Sequence, residues 1–206
     1  MLFRSGVAVG AVVLASLLGI PAGIVIGIGE FPLKRAVMVG LNSLMAMPTV
    51  VLGLLVYGLI SRQGILGGWD LLFTPAGVII GLTLLAVPIV ANYSLSAVKG
   101  ADRRILPTAL TLGASRRQGL IQLTLEIRFG IFAAIIAGFG RVISEVGVAM
   151  MLGGNIRGYT RTMTTAIALE TSKGEFALGL ALGIILMGVS VAVNTGLTLM
   201  QESRRP

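Results

Sequence analysis

The sequence contains no cysteine and no histidine among its 206 residues. Without cysteine, the chain can form neither a disulfide nor a thiolate metal site. Without histidine, it has no imidazole base, no histidine-centred catalytic triad and no histidine-ligated metal. We therefore expect no metal, no cofactor and no catalytic residue.

Charged and aromatic residues are also scarce. Only 12% of the chain is charged and 5% is aromatic, whereas 55% is hydrophobic, and the mean hydropathy is +0.97. A soluble domain normally has about a quarter of its residues charged, and one this apolar would expose large adhesive surfaces. The composition therefore predicts an all-α protein embedded in a lipid bilayer, where lipid-facing side chains stay apolar.

The net charge is +8, which in a soluble protein would suggest a nucleic-acid partner. Here the basic residues fall between hydrophobic runs, and the chain has few aromatic rings on which bases could stack. Membrane topology explains such a distribution better. We expect no binding to DNA or RNA.

Five apolar stretches approach the length of about 20 residues that a helix needs to cross the hydrocarbon. They predict a single transmembrane domain over residues 1–206, with spans at about 5–29, 36–61, 71–98, 129–152 and 176–201. The first run is too long for the core of a signal peptide, so it is counted as a span. The fourth contains Arg141 and Glu145, four residues apart on one helix face, where the two charges can neutralise each other. Small residues predict close helix packing at Gly19, Gly23 and Gly27 in the first span and at Gly179 and Gly183 in the last.

The basic residues also predict the orientation, since cytoplasmic loops carry an excess of lysine and arginine. With the N-terminus outside and the C-terminus in the cytoplasm, ten basic residues lie inside and five outside. The inner set is Lys34, Arg35, Lys99, Arg103, Arg104, Arg116, Arg117, Arg128, Arg204 and Arg205, and the outer set is Arg4, Arg62, Arg157, Arg161 and Lys173. We predict a multi-pass protein of the cell membrane in this orientation.

The long basic segment 99–128 is too polar to span the membrane. Its leucines alternate with charges, Pro107 can begin a helix and Gly113 divides the segment, which predicts two short cytoplasmic helices with a bend between them. A bulky residue at Gly113 is expected to fill that bend and push the helices apart. Such helices favour a protein partner, and the alternative is an interfacial helix resting on anionic headgroups.

This segment resembles the coupling loop of ABC importer permeases, whose pattern reads EAAxxxG followed later by IxLP. The chain matches the pattern at Ala109, Gly113 and Leu125, has Leu123 in place of isoleucine, and departs from it at Pro107, Thr108 and Glu126. The resemblance implies that the segment docks on an ATPase subunit. The residues implied in that coupling are Pro107, Ala109, Gly113, Ala114, Ser115, Leu123 and Leu125.

A second segment, GRVISEVGVAMMLGGNIRGYTRTMTTAIALETSKGEF at 140–176, is similar to the molybdate and tungstate branch of these permeases, and most to the tungstate type. The resemblance implies a type I permease core that works as a homodimer in the bilayer. It also implies two partners, a cytoplasmic ABC ATPase and an extracytoplasmic oxyanion-binding protein. The sequence agrees with a separate ATPase, because it contains no GxxxxGK[ST] phosphate-binding loop.

The external end of this segment is rich in hydroxyl groups. A short helix at about 162–169 cannot span, and segment 153–175 is expected to fold back towards a pore. Hydroxyls, a guanidinium and helix N–H groups suit a dehydrated tetraoxyanion, although the same residues could simply cap a loop. The pore or gate candidates are Arg141, Glu145, Thr160, Arg161, Thr162 and Thr164, and the first two could instead form a structural ion pair.

The resulting hypothesis is the permease subunit of an ATP-driven tungstate importer, with molybdate or another tetraoxyanion as the alternative. An ion-coupled secondary transporter or channel would usually have more spans or buried coupling carboxylates. An intramembrane enzyme would need catalytic groups that are absent here. Neighbouring genes for an ATPase and a secreted binding protein would distinguish these classes.

Overall fold

The computed structural model describes residues 5–102 and 104–202, and the regular structure in these ranges is helical, as the composition predicted. The ten α-helices are α1 (Ser5–Ile28), α2 (Lys34–Met45), α3 (Thr49–Ile60), α4 (Pro75–Gly100), α5 (Ile105–Thr111), α6 (Arg116–Glu126), α7 (Arg128–Ile143), α8 (Gly147–Gly153), α9 (Met163–Ser172) and α10 (Phe176–Glu202). A 3₁₀ turn covers Gly67–Trp69. Four basic residues of the orientation count, Arg4, Arg103, Arg204 and Arg205, lie outside the described ranges.

Three of the described helices, α1, α4 and α10, are long and apolar enough to cross a membrane unaided. Two further pairs reach that length only together. They are α2 with α3, bent by 99°, and α6 with α7, bent by 64°. Length and composition therefore allow three spans, or up to five if each bent pair counts as one.

The stretch 36–61, expected as one span, is divided into α2 and α3. The interruption covers residues 46–48 and ends at Pro48, whose backbone is extended at φ −59° and ψ 126°. Proline has no N–H to donate and disfavours helical geometry in the residue before it. The chain therefore leaves one helix and starts another at this point.

The stretch 129–152 is divided as well, since α7 ends at Ile143 and α8 begins at Gly147. The hydroxyl of Ser144 donates to the carbonyls of Gly140 and Arg141, at 3.0 Å each, a back-bonding pattern that bends helices. The carboxylate of Glu145 accepts a hydrogen bond from the N–H of Val148 and so caps α8 directly after the break. Local side-chain bonds thus replace the continuous backbone ladder.

The core forms where α1 packs against α4, and the predicted close approach at the glycines of α1 is confirmed. A Cβ atom at Gly19 would lie 3.0 Å from the carbonyl oxygen of Val87, and one at Gly23 would overlap that of Ala91. In α10, by contrast, Gly179 packs against Thr171, whereas no described atom lies within 4 Å of a Cβ built at Gly183.

The contacts also give the helix directions. Gly10 lies beside Ile79 near the start of α4, and Gly27 lies beside Val98 near its end, so α1 and α4 run parallel. The chain between α1 and α4 must therefore cross back to the side on which α1 begins. Helix α7 runs antiparallel to α4, because Gly130 meets Ala97 and Gly138, further along α7, meets the earlier Val90. Helix α10 packs on α7 and α9, and most of its side chains are exposed.

Candidate functional site

The segment predicted to form two short helices does so, as α5 and α6, and Gly113 lies in the elbow between them. Gly113 has φ +88°, and no described atom lies within 4 Å of a Cβ built there. The expectation that a bulky residue would fill the bend was therefore wrong, because the space is open. The elbow needs glycine for its left-handed backbone, which costs other residues roughly 1–2 kcal/mol.

The elbow is held by its own contacts. Ser115 caps α6: its hydroxyl accepts a hydrogen bond from the backbone N–H of Gln118 at 3.3 Å, and the side chain of Gln118 accepts one from the N–H of Ser115 at 2.7 Å. Such a reciprocal box satisfies two free N–H groups at a helix start. Leu106 of α5 packs over Gly119 of α6. The two short helices therefore form a small hairpin.

The coupling candidates differ in how far they face outwards. Pro107, Gly113, Ser115 and Leu125 are exposed, Ala109 and Ala114 are half-buried, and Leu123 is buried. A buried Leu123 packs inside the protein and has no surface to offer a partner. The exposed large apolar side chains around the elbow are Leu110, Leu112, Leu120, Ile121 and Leu125, of which Leu112 is 82% exposed.

The second group of candidates surrounds the break between α7 and α8. The predicted pairing of Arg141 with Glu145 is confirmed, with 3.3 Å between Nη2 and Oε2. The Glu145 side chain is 3% exposed and that of Arg141 is 37% exposed. The other carboxylate oxygen of Glu145 accepts the N–H of Val148 at 3.2 Å, and its backbone carbonyl accepts the hydroxyl of Thr164 at 2.8 Å. Glu145 therefore ties α7, α8 and α9 together.

The threonine hydroxyls predicted to meet an oxyanion are bonded within the protein. Thr162 caps α9 in a reciprocal box with Thr165, and its hydroxyl lies 2.9 Å from that of Thr164. The buried hydroxyl of Thr160 donates to the carbonyl of Gly153 and accepts the N–H of Ile156. These hydroxyls hold the loop between α8 and α9 in shape.

The guanidinium of Arg161 is bonded to Asn155, a residue that the sequence did not single out. Its Nε lies 3.1 Å from the Asn155 Oδ1, and its Nη2 lies 3.2 Å from the Asn155 carbonyl oxygen. The amide of Asn155 in turn donates to the carbonyl of Thr165 at 3.2 Å. Asn155 has φ +51° and follows Gly154, the C-cap of α8, and asparagine is one of the few residues that tolerate this left-handed backbone. The Gly-Gly-Asn run was the available signal.

Two substitutions of Asn155 should separate its backbone role from its side-chain role. Asn155→Gly keeps the left-handed backbone and the carbonyl that bonds Arg161, but it removes the side-chain bonds to the Arg161 Nε and to the Thr165 carbonyl, worth about 1 kcal/mol each. Asn155→Ala adds backbone strain of about 1 kcal/mol. We expect the melting temperature of the detergent-solubilised protein to fall in the order wild type, glycine variant, alanine variant. Equal melting temperatures would show that Asn155 does not hold this loop.

A cavity of about 320 Å³ lies against the same break, between α1, α4, α7 and α10. Its wall is almost wholly apolar, and its polar groups belong to Glu145, Thr162 and Thr164. A carboxylate repels an anion, and the hydroxyls there are already engaged. The cavity therefore suits apolar contents rather than an oxyanion.

Comparison with known proteins bears on what these elements do. Residues 19–205 match the family described as "binding-protein-dependent transport system inner membrane component". The chain belongs to this family. The permease thus has the all-α fold of the type I ABC importer subunits, and it is a membrane transport component rather than an enzyme. Membership implies a separate ATPase and a binding protein as its partners.

Individual relatives cover most of the permease. It is 40% identical to the tungstate uptake system permease protein TupB of Peptoclostridium acidaminophilum, over 93% of its own length and 84% of that protein. It is 39% identical to a probable anion ABC transporter permease protein of Haloferax volcanii, over 91% and 83%. Identity falls to 26% with the molybdenum transport system permease protein ModB of Escherichia coli K12, over 84% and 81%.

Proposed function

We propose that the permease is the membrane-spanning subunit of an ATP-driven importer for tungstate. The observation that carries this proposal is the higher identity to a tungstate permease than to a molybdenum permease across nearly the whole chain. Molybdate or another tetraoxyanion is the second candidate, because these ions share charge and shape. The choice between them belongs mainly to the extracytoplasmic oxyanion-binding protein.

We propose five spans, with the N-terminus outside and the C-terminus in the cytoplasm. The parallel course of α1 and α4 supports this topology, because α2 and α3 must then supply one crossing between them. The antiparallel course of α7 supplies the next crossing. This orientation puts the elbow between α5 and α6 in the cytoplasm, with Arg116 and Arg117 beside it, and puts segment 153–175 outside.

The elbow is the proposed docking site for the cytoplasmic ABC ATPase. Its exposed leucines and the basic residues beside it suit a groove on a protein surface. When the ATPase subunits close on ATP, the docked hairpin would move with them. That movement would reach α7, because a single residue, Ile127, separates α6 from α7.

We further propose that two copies enclose the path. Helices α2 and α10 leave apolar surface uncovered, including Val39, Leu44, Leu180 and Ile184, and part of that surface would pack against a second copy while the rest faces lipid. Crosslinking or native mass analysis in detergent should show dimers. A lone monomer in an active complex would contradict the pairing.

The function is tested with the permease, its ATPase and its binding protein in lipid vesicles. We expect ATP-dependent uptake of labelled tungstate, weaker competition by molybdate, and no ATP hydrolysis by the purified permease alone. Stronger uptake of molybdate would transfer the assignment to that ion. Uptake without the ATPase, driven by an ion gradient, would contradict an ATP-driven importer.

A further inference from the structure

The two helix breaks of the permease touch each other. Helix α3 begins at Thr49, directly after the first break, and α8 begins at Gly147, directly after the second. A Cβ atom built at Gly147 would lie 3.2 Å from the Thr49 Oγ1 and 3.2 Å from the Val50 Cγ2. Such distances are shorter than ordinary van der Waals contact. The absence of a side chain at Gly147 is therefore what lets the first turn of α8 sit on the first turn of α3.

The contact continues along α8. A Cβ atom at Gly53, one helical turn further along α3, would lie 3.0 Å from the Met151 Sδ and 3.5 Å from the Val148 Cα. On its other side, α8 is joined to α7 and α9 through Glu145, whose Oε1 would lie 3.3 Å from the same Cβ atom at Gly147. Helix α8 therefore connects α3 to α7 and α9.

Helix α8 is short and has non-helical backbone at both ends. It has seven residues, follows the break at 144–146, and ends at Gly154, which has φ +65°. Hinges in a conformational change are a few residues in loops or at the ends of elements that absorb changes in φ and ψ, and packed helices can slide by small amounts. The backbone at 144–146 and at 154 supplies such positions on both sides of α8.

We propose that Gly147 is a positioning residue that seats α8 on α3, and that this junction must slide or open during each transport cycle. The proposal rests on the function proposed above, in which the ATPase acts on the elbow between α5 and α6. Displacement of α6 reaches α7, then α8 through Glu145, and then α3 through Gly147. The sliding contact thereby connects the ATPase side of the permease to the break that bends α2 and α3.

A reversible bond across the junction tests this. The permease has no cysteine, so the double variant Thr49→Cys/Gly147→Cys carries the only two thiols if the partner proteins are cysteine-free. The Thr49 Oγ1 marks where the new sulfur would lie, and its distance of 3.2 Å from the Cβ position of residue 147 suits a disulfide between the two residues. We expect oxidation to close the bond and lower uptake at least about tenfold, and reduction to restore it.

The outcome separates a moving contact from a static one. If the contact only holds the structure together, a bond between residues that already touch will leave uptake unchanged, and the proposal is overturned. Failure of the bond to form in the resting complex would also overturn it, because the two residues would then not be in contact. Retention of the ATPase is measured on the same samples to confirm that the complex stays assembled.

The matched control is Thr171→Cys/Gly179→Cys. Here a Cβ atom at Gly179 would lie 2.8 Å from the Thr171 Oγ1, which is the same glycine and threonine arrangement, placed between α9 and α10 and away from the breaks. Its oxidation should leave uptake unchanged. An equal loss of uptake in this control would mean that a disulfide between helices blocks transport wherever it lies, and the proposal would be overturned.

A second measurement does not depend on the transported ion or on activity of the reduced variant. The rate of disulfide formation at residues 49 and 147 is compared in the nucleotide-free complex and in the complex trapped with ATP and vanadate. We expect the trapped complex to react about tenfold more slowly. Equal rates would overturn the proposal, whereas failure of the wild-type complex to take up tungstate would contradict only the proposed substrate.

Discussion

Replacing Gly113 by valine should strongly reduce uptake while the membrane part of the permease stays assembled. The residue has φ +88°, where a β-branched side chain is strongly disfavoured. A strain of roughly 1–2 kcal/mol would lower the ratio of native to non-native elbow by about 5–30-fold. The strain falls on α5 and α6, which pack mainly on each other, and not on the core of α1 and α4. We therefore expect loss of uptake and loss of co-purification with the ATPase.

The matched control is Gly113→Asn. Asparagine tolerates the left-handed region better than other side chains, and no described atom lies within 4 Å of the new Cβ. It adds bulk at the elbow without the strain, so it should keep most of the uptake. Membrane insertion and dimer formation are measured for both variants. Full uptake and normal ATPase binding in the valine variant would show that the elbow is not the coupling element.

Arg141→Leu alone should be more damaging than a double change that also neutralises Glu145. The single change leaves a carboxylate that is 3% exposed without its cation, and breaking a buried pair in this way costs about 3–5 kcal/mol. We expect little folded protein and no uptake. The yield of folded protein, its melting temperature in detergent and its uptake are measured together.

Two double variants separate the charge of Glu145 from its capping role. Arg141→Leu/Glu145→Gln removes both charges and keeps an acceptor for the N–H of Val148, whereas Arg141→Leu/Glu145→Leu also removes the cap. Loss of a helix cap costs about 1 kcal/mol. The glutamine double should therefore be the most stable of the three and the single variant the least. Equal stability of all three would show that neither the ion pair nor the cap matters.

Much of the architecture could be predicted because its signals are local. A bilayer forces each crossing segment to satisfy its own backbone, so composition was enough to predict an all-helical membrane protein. The glycines of α1 indicated close packing, which α4 provides. The spacing of Arg141 and Glu145 indicated their pairing, which the structure confirms. The family resemblance was carried by two short motifs and is confirmed by the match over residues 19–205.

The helix breaks were harder to predict. Pro48 was a visible signal, yet proline is tolerated inside transmembrane helices, and hydropathy continued across the break. Between α7 and α8 the break depends on the hydroxyl of Ser144 and the carboxylate of Glu145 bonding to nearby backbone. Whether such bonds form depends on what else surrounds those side chains, which periodicity does not reveal.

In the candidate site, the sequence indicated the residue types but not their bonding partners. Residue type suggested that Thr160, Thr162, Thr164 and Arg161 could receive an oxyanion, but each is bonded within the protein. Thr160 and Arg161 bond to the loop between α8 and α9, Thr162 caps α9, and Thr164 donates to the carbonyl of Glu145. A hydroxyl or guanidinium in a sequence does not state which acceptor it will find. Asn155 was overlooked because its importance comes from its partners.

The sequence by itself determined that this protein lives in a membrane, that it is helical, and which segments are apolar enough to cross, because those properties follow from the solvent each residue needs. Its motifs also determined the family. Only the tertiary structure decided where the long helices break, that Gly113 is needed for its backbone, that Glu145 joins three helices, and that Gly147 rests on Thr49. Some of these features are contacts between residues that are distant along the chain, and others are backbone angles. Contacts and angles of this kind are set only when the chain has folded.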